Sequence, residues 1–173
     1  MTKKYKNRYR IQSSRLQNWD YAWNGAYFVT ICSKDKQHYF GEIIDGEMRL
    51  SNMGVLADVF WHEIKNHTEN VELGGFVVMP NHIHGILLLH GNKCNDKSYR
   101  QERFQNQGKN TVSAIIGSYK SAVTKHANRL NIPFYWQSRF YDHIIRDENK
   151  LMTISEYIFN NPMNWEMDKF YSV

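Results

Sequence analysis

The chain has 173 residues, of which 42% are hydrophobic and 14% aromatic, and its formal net charge is +5. This length and composition fit one packed domain. No apolar run approaches the roughly 20 residues that span a bilayer, and the start MTKKYKNRYR lacks the apolar stretch of a secretory signal. Two cysteines without metal-like spacing argue against a disulfide framework or a zinc knuckle. We expect a cytoplasmic protein with no membrane partner.

Positive charge is concentrated in two segments. Residues 1–15 hold six Lys/Arg and no acid, so the other 158 residues sum to −1. Residues 91–110 hold five Lys/Arg against Asp96 and Glu102, and they show no hydrophobic periodicity. The sequence predicts a basic arm at 1–15, a single domain at 16–173 and a mobile loop at about 91–110. These segments either bind a polyanion or are simply solvated.

The first half of the chain predicts strands around one helix. Residues 26–33, AYFVTICS, are rich in strand formers, and residues 39–50 indicate a hairpin turning at Asp45–Gly46. Residues 51–67 predict a helix with Ser51 as its N-cap. Its predicted inward stripe is Val55, Leu56, Val59, Phe60 and Ile64. Residues 75–90 indicate a strand pair broken at Pro80–Asn81, because proline cannot donate a ladder hydrogen bond.

The second half predicts two helices around a strand. Residues 111–130 form a helix capped by Thr111, and residues 134–146 contain a strand. Residues 147–162 form a helix capped by Asp147 and ended by Pro162. The predicted inward residues are Ile115, Tyr119, Ala122 and Val123 on the first helix, and Leu151, Ile154 and Ile158 on the second. The element order is typical of an α+β fold. A ferredoxin-like antiparallel sheet with helices packed on it fits this order.

Two neighbouring histidines stand out within VVMPNHIHGILLLH, residues 77–90. On a strand, His82 and His84 share one face and Ile83 points to the other. Tyr157 and Asn161 share a face of the last helix because they are four residues apart. If this helix packs on the histidine strand, two imidazoles and an amide oxygen leave open positions on a divalent ion, which a phosphate oxygen could occupy.

Each of these residues also has an ordinary structural interpretation. Two histidines in a strand are more often structural than metal-binding, and a tyrosine on an amphipathic helix usually packs. Asn161 before Pro162 is common at a helix end, and Lys150, two turns before Tyr157, is by default solvated. The residues taken singly leave both interpretations open.

The ordered set of motifs resembles a known family. GFVVMPNHIHGILLL, followed some seventy residues later by YIFNNPMNW, is similar to the single-tyrosine HUH transposases, and especially to the REP-associated tyrosine transposases, or RAYTs. HUH denotes His–hydrophobic–His, here residues 82–84. The stretches GAYFVTICS, FGEIIDGEMRLS, IIGSYKSAVTK and WQSRFYDHIIRDE agree as well. The resemblance covers roughly residues 15–165.

The resemblance implies a site and a reaction. Tyr157 matches the nucleophile, His82 and His84 match metal ligands, and Asn161 matches the third ligand, with Mg²⁺ or Mn²⁺ as cofactor. Family members cut single-stranded DNA, often beside a hairpin. The implied function is DNA nicking and strand transfer through a 5′-phosphotyrosine link that leaves a free 3′-OH, in a bacterial-type, nucleoid-associated protein. The resemblance leaves a monomer and a homodimer both open.

A single-stranded substrate suits the basic and aromatic residues, since cations track the backbone and rings stack on unpaired bases. The candidate stacking residues are Tyr9, Tyr119, Trp136 and Tyr141. The candidate DNA-binding residues are Lys4, Lys6, Arg8, Arg10, Arg15, Lys120, Lys125, Arg139, Arg146 and Lys150.

Two alternative functions stay open at this point. A catalytically silent protein that recognises DNA hairpins would keep the basic residues but would have no use for Tyr157. A metal-dependent phosphodiesterase that uses water would need the histidines but not the tyrosine. Formation of a protein–DNA adduct separates both alternatives from the transposase.

Overall fold

The computed structural model describes residues 24–90 and 111–172, together with the backbone of two short paired strands, β1 (Lys4–Tyr5) and β2 (Arg8–Tyr9). The basic arm, apart from this backbone, and the predicted loop at 91–110 lie outside the described residues, so both stay predictions. The remaining elements are β3 (Gly25–Cys32), β4 (Gly41–Ile44), β5 (Glu47–Leu50), α1 (Asn52–His67), β6 (Val71–Val78), β7 (His82–Leu89), α2 (Val112–Arg129), β8 (Tyr141–Ile145) and α3 (Glu148–Asn160).

Four strands form the central sheet, in the order β6-β7-β3-β8, and every neighbouring pair is antiparallel. Leaving aside the β4–β5 hairpin, the chain visits them as β3, α1, β6, β7, α2 and β8. This is a βαββαβ path whose first and third strands lie in the centre. The predicted α+β fold with a ferredoxin-like antiparallel sheet is therefore confirmed.

The two faces of the sheet are covered differently. Helices α1 and α2 pack side by side on one face over the larger core, which includes Ile83, Leu87 and Trp61. Helix α3 covers the other face over a smaller core of Phe28, Ile86, Ile145 and Ile158. Because side chains alternate along a strand, β7 directs one set of residues to each face.

Local sequence signals account for the turn and the helix starts. The β4–β5 hairpin turns at Asp45 and Gly46, whose φ angles of 52° and 77° fit the positive-φ turn that such a dipeptide favours. The side chains of Ser51, Thr111 and Asp147 each accept a hydrogen bond from a backbone N–H in the first turn of the following helix. All three predicted caps are confirmed.

The predicted inward stripe of α1 is wrong at Val55 and Val59, which are 47% and 48% exposed. The buried residues of α1 are Met53, Gly54, Ala57, Trp61 and Ile64. Small residues at 54 and 57 let the helix approach its neighbours closely, and the Trp61 ring fills the space over Gly85 of β7. Hydrophobicity favoured the valines, whereas packing selects the small residues and the tryptophan.

Candidate functional site

The histidine pair lies at the start of β7, on the face that α3 covers. His82 pairs with Cys32, and His84 pairs with Thr30, so both histidines stand at the carboxyl end of β3. Ile83 points to the opposite face and is fully buried in the larger core. The Nε2 atoms of the two imidazoles are 3.0 Å apart. The predicted sharing of one face by the two histidines is confirmed.

The hydrogen bonds of Asn81 determine the tautomer of His82. The Asn81 amide nitrogen donates to the backbone oxygen of Phe170 at 2.9 Å and to the Ser172 hydroxyl at 3.2 Å. Its Oδ1 therefore faces His82 and accepts a hydrogen bond from Nδ1 at 2.8 Å. With the proton on Nδ1, the Nε2 of His82 carries a free lone pair that faces His84.

The other imidazole has an equivalent partner. The Thr30 hydroxyl lies 2.9 Å from Nδ1 of His84, and when its oxygen accepts a hydrogen bond from Nδ1–H, the Nε2 of His84 also carries a free lone pair. Two Nε2 lone pairs would then converge on one point. Outer hydrogen bonds of this kind orient histidine ligands in metal sites.

Burial keeps both imidazoles neutral. The pair is enclosed by aromatic rings: Phe28 stacks on His84 with ring centroids 5.1 Å apart, and Phe170 and Trp165 lie 4.6 Å and 5.9 Å from His82. Desolvation lowers the pKa of His82 to about 4. Burial, with the neighbouring His82, lowers the pKa of His84 well below its usual range. Neutral imidazoles are the form that binds metal ions.

The phenol of Tyr157 reaches the histidine pair from α3. Its Oη lies 3.1 Å from Nε2 of His84 and donates to Oδ2 of Asp168 at 2.8 Å. Tyr157 is 40% exposed and lines a pocket of about 280 Å³, so a substrate can approach it. Burial raises the pKa of Tyr157, and the hydrogen bond and charge of Asp168 raise it further.

Asp168 is the residue that the sequence reasoning missed. Its Oδ2 accepts from Tyr157 and, at 2.9 Å, from the amide nitrogen of Asn161. Burial raises the pKa of Asp168, but hydrogen bonds from Asn161, the Phe170 backbone and Tyr157 outweigh that effect, so the pKa is lowered. One ligand atom from each of His82, His84 and Asp168 lies within 4.8 Å of the others, so this group could hold a metal ion.

Asn161 lies directly after α3 and is 2% exposed. Its amide nitrogen is engaged by Asp168, whereas its Oδ1 is buried and has no hydrogen-bond partner among the described residues. A buried amide oxygen without a partner is costly, and a hard cation would satisfy it. The donor set of two neutral imidazoles, a carboxylate and an orphaned amide oxygen therefore fits a divalent ion.

The described candidate DNA-binding residues are spread over the molecule. Lys120 is half-buried and donates to the backbone oxygen of Gln137 at 2.6 Å, near the end of the sheet that holds the histidines. Lys125 is exposed on α2, which packs on the opposite face. Arg146 follows β8 at the far end of the sheet, and Lys150 lies in the first turn of α3, about 10 Å along the helix from Tyr157. Arg139 is exposed in the connection before β8.

Two of the four candidate stacking residues belong to the core. Tyr119 is 3% exposed and donates to the backbone oxygen of Ala57 at 2.8 Å, so it cannot stack on a base. Trp136 is half-buried among Phe40, Phe134 and Tyr119. Tyr141 is 46% exposed, and Tyr9 belongs to the strands described by backbone alone.

Comparison with known proteins supports the fold and gives the family. No protein-family model matches the chain. A protein of Haemophilus influenzae, described as uncharacterized, is 38% identical over 178 residues, which cover 99% of each chain. The chain belongs to the family of this Haemophilus influenzae protein. A structure of a REP-associated tyrosine transposase bound to a REP hairpin superposes with a TM-score of 0.63 at 19% identity, covering 92% of this chain and 77% of the other.

The structural likeness confirms the predicted resemblance at the level of the fold: this family has the fold of the REP-associated tyrosine transposases. Among its described residues, the chain has no helix that is both long and apolar enough to cross a membrane. A shared fold does not assign roles to single residues.

Proposed function

We propose that this protein nicks single-stranded DNA and transfers the strand, with Tyr157 as the nucleophile. The observation that carries the proposal is the position of the Tyr157 phenol, 3.1 Å from one of two imidazoles whose Nε2 atoms are 3.0 Å apart. A histidine pair that served only the core would not need an accessible phenol beside it. The RAYT fold adds support, since the enzyme of that fold was captured on a REP hairpin.

The proposed step exchanges one phosphodiester for another. The phenol oxygen of Tyr157 forms a bond to phosphorus, the bond between phosphorus and the 3′ oxygen breaks, and the departing oxygen takes up a proton as a 3′-OH. The 5′ end stays attached to the protein, so another 3′-OH can reverse the reaction without ATP. Strand transfer follows from this reversibility, which a water nucleophile would lose.

In this proposal Asp168 takes the phenol proton, and the hydrogen bond that its Oδ2 accepts from Tyr157 at 2.8 Å supports this role. The phenol is held neutral in this arrangement, since burial and the adjacent carboxylate both raise its pKa. Transfer from a phenol of raised pKa to a carboxylate of lowered pKa is unfavourable unless positive charge is added nearby.

A divalent ion supplies that charge in our proposal. His82 and His84 would hold it, with Asn161 as the third protein ligand and Asp168 beside it. When bound, Mg²⁺ or Mn²⁺ would neutralise and orient the scissile phosphate and lower the phenol pKa. Two imidazoles favour Mn²⁺ over Mg²⁺.

The test is adduct formation on a hairpin. The protein is incubated with Mn²⁺ and single-stranded hairpin DNA labelled on the 5′ and 3′ sides of the loop in separate experiments, and the products are separated on a denaturing gel. We expect a covalent adduct that carries the label downstream of the nick. Tyr157→Phe should abolish adduct and cleavage while hairpin binding remains.

A matched control is Tyr171→Phe, since Tyr171 is 39% exposed against 40% for Tyr157 and lies in the same C-terminal region. This variant should form the adduct as the wild type does. Cleavage without any adduct would point to the water-using phosphodiesterase, and hairpin binding without cleavage would point to the silent binding protein. An adduct that persists in Tyr157→Phe would show that another residue attacks.

A further inference from the structure

Basic and aromatic side chains form a surface at the end of the sheet where the histidines lie. We name it the lysine–tyrosine surface and define it by Lys34, Lys36, Lys169, Tyr135 and Tyr141. All five are exposed, the two rings by 62% and 46%. Three chain segments contribute to it: the short 3₁₀ helix Lys34–Lys36 after β3, the stretch from Tyr135 to Tyr141 at the start of β8, and the segment after α3.

Observed contacts hold these segments together. The Lys34 backbone N–H donates to the Tyr135 carbonyl oxygen at 2.9 Å, and the Lys34 ammonium lies 5.7 Å from the Tyr135 ring centroid. The Lys169 ammonium lies 5.4 Å from the centroid of Tyr141. Lys36 donates to the backbone oxygen of Lys169 at 3.5 Å. The cations and rings are therefore interleaved rather than separated.

The surface is continuous with the proposed site. Lys169 follows Asp168, and its ammonium lies 4.8 Å from the ring centroid of Phe170, which in turn lies 4.6 Å from His82.

We infer that the lysine–tyrosine surface binds the single strand of DNA that runs away from the scissile phosphate. The inference rests on the proposed function and adds the path of the substrate. Interleaved ammonium groups and exposed rings are what an unpaired strand requires, since the cations pair with phosphates and the rings stack on bases. A double helix would use the lysines but could not place its bases on the tyrosines.

The contacts between the lysine ammonium groups and the tyrosine rings are too weak to prevent the lysines from pairing with DNA phosphates. A cation over a ring at an exposed site is a weak interaction, whereas each ammonium that neutralises a phosphate also releases condensed counterions. Asp35 lies between Lys34 and Lys36 in the chain, but it is exposed and can turn to solvent. Most of this surface was invisible in the sequence, which singled out only Tyr141.

The experiment measures binding of labelled oligothymidine and of a blunt duplex by fluorescence anisotropy over a range of salt concentrations. The variants are Tyr135→Ala/Tyr141→Ala and Lys34→Gln/Lys36→Gln, all in the full chain. Removing the two rings should weaken oligothymidine binding by roughly fivefold or more for each base that loses its stacking partner. Duplex binding should be unchanged. Removing two lysines should reduce the salt slope on oligothymidine by about 1.4.

Lys65→Gln/Arg129→Gln is the matched control, because both basic residues are exposed on the helices that cover the opposite face and neither is a candidate DNA-binding residue. It should leave oligothymidine affinity close to wild type. Wild-type affinity in the tyrosine variant, or an equal loss on duplex, would overturn the inference. Adduct formation on hairpin DNA is measured with the same proteins. If the wild type forms the adduct but the surface variants bind oligothymidine as the wild type does, only the role of this surface is rejected. If the wild type forms no adduct, the proposed function itself is rejected.

Discussion

At the scale of single residues, the chemistry of the site depends on the side-chain amides of Asn81 and Asn161. In each amide, the hydrogen bond made by the nitrogen fixes the position of the oxygen. Asn81 has its nitrogen fixed by a backbone carbonyl, and its oxygen therefore sets the proton of His82 on Nδ1. Asn161 has its nitrogen fixed by a carboxylate, and its oxygen is left without a partner among the described residues. Each arrangement leaves a lone pair without a protein partner among the described residues, and hydrogen bonds that orient ligands in this way are typical of metal sites.

Replacing Asn81 tests the tautomer argument. Asn81→Ala removes the acceptor that holds the Nδ1 proton of His82, so the imidazole can rotate or change tautomer. We expect Mn²⁺ affinity to fall by roughly 10–100-fold, measured by titration calorimetry. Asn66→Ala is a control, because Asn66 makes an exposed hydrogen bond to Glu63 and should leave Mn²⁺ affinity unaltered. Unchanged affinity in Asn81→Ala would show that the hydrogen bond to His82 does not set the ligand.

The third metal ligand can be distinguished by comparing Asn161→Ala with Asp168→Asn. If Asn161 is the ligand and Asp168 the proton acceptor, Asn161→Ala should lower Mn²⁺ affinity more than Asp168→Asn does. Asp168→Asn should mainly slow cleavage at saturating Mn²⁺. Asn161→Gln should retain part of the activity that Asn161→Ala loses, because glutamine keeps an amide oxygen as a ligand. Melting temperatures of both variants serve as the control for folding. The opposite order of affinities would assign the third ligand to Asp168.

At the scale of elements, patterns along one element were predictable and contacts between elements were not. The HUH triplet placed two histidines on one face because strand periodicity is local, and the caps of all three helices followed from single residues. Asp168 has no periodic relation to Tyr157. It returns to the site only because the chain turns after α3 and continues through the short helix Trp165–Met167.

The predicted inward stripe of α1 was wrong for the same reason, because it depends on contacts between α1 and β7. These contacts give a prediction about packing. A Cβ at Gly85 of β7 would overlap the Trp61 ring, which is fully buried, whereas a Cβ at Gly117 of α2 would meet nothing within 4 Å. Gly85→Ala should therefore lower the free energy of unfolding by about 1–3 kcal/mol. Gly117→Ala should raise it by about 0.5–1 kcal/mol through helix propensity. Denaturant titration measures both, and a neutral Gly85→Ala would mean that α1 can shift away from the sheet.

At the scale of the whole molecule, the net positive charge of the chain comes from its first 15 residues. Residues 1–15 carry six Lys/Arg without an acid, and the remainder of the chain sums to −1. Residues 16–173 therefore depend on local clusters of positive charge, such as the lysine–tyrosine surface, to bind an anionic strand. The arm can add phosphate contacts that do not depend on the DNA sequence. We therefore expect the salt dependence of DNA affinity to have two sources, the arm and the lysine–tyrosine surface, whose contributions can be measured separately.

Replacing the six basic residues of the arm with glutamine, in a chain of unchanged length, tests this separation. On single-stranded DNA, each phosphate that the arm no longer neutralises reduces the salt slope by about 0.7, so six such phosphates would reduce it by about 4. We expect a reduction of more than about 1, with the rate of cleavage at saturating DNA unchanged, because phosphate contacts of the arm should contribute to binding and not to the chemical step. Combining these substitutions with Lys34→Gln/Lys36→Gln should give additive reductions, as independent sites do. An unaltered slope would identify the arm as a solvated tail, and strongly non-additive reductions would mean that the arm and the lysine–tyrosine surface hold the same phosphates.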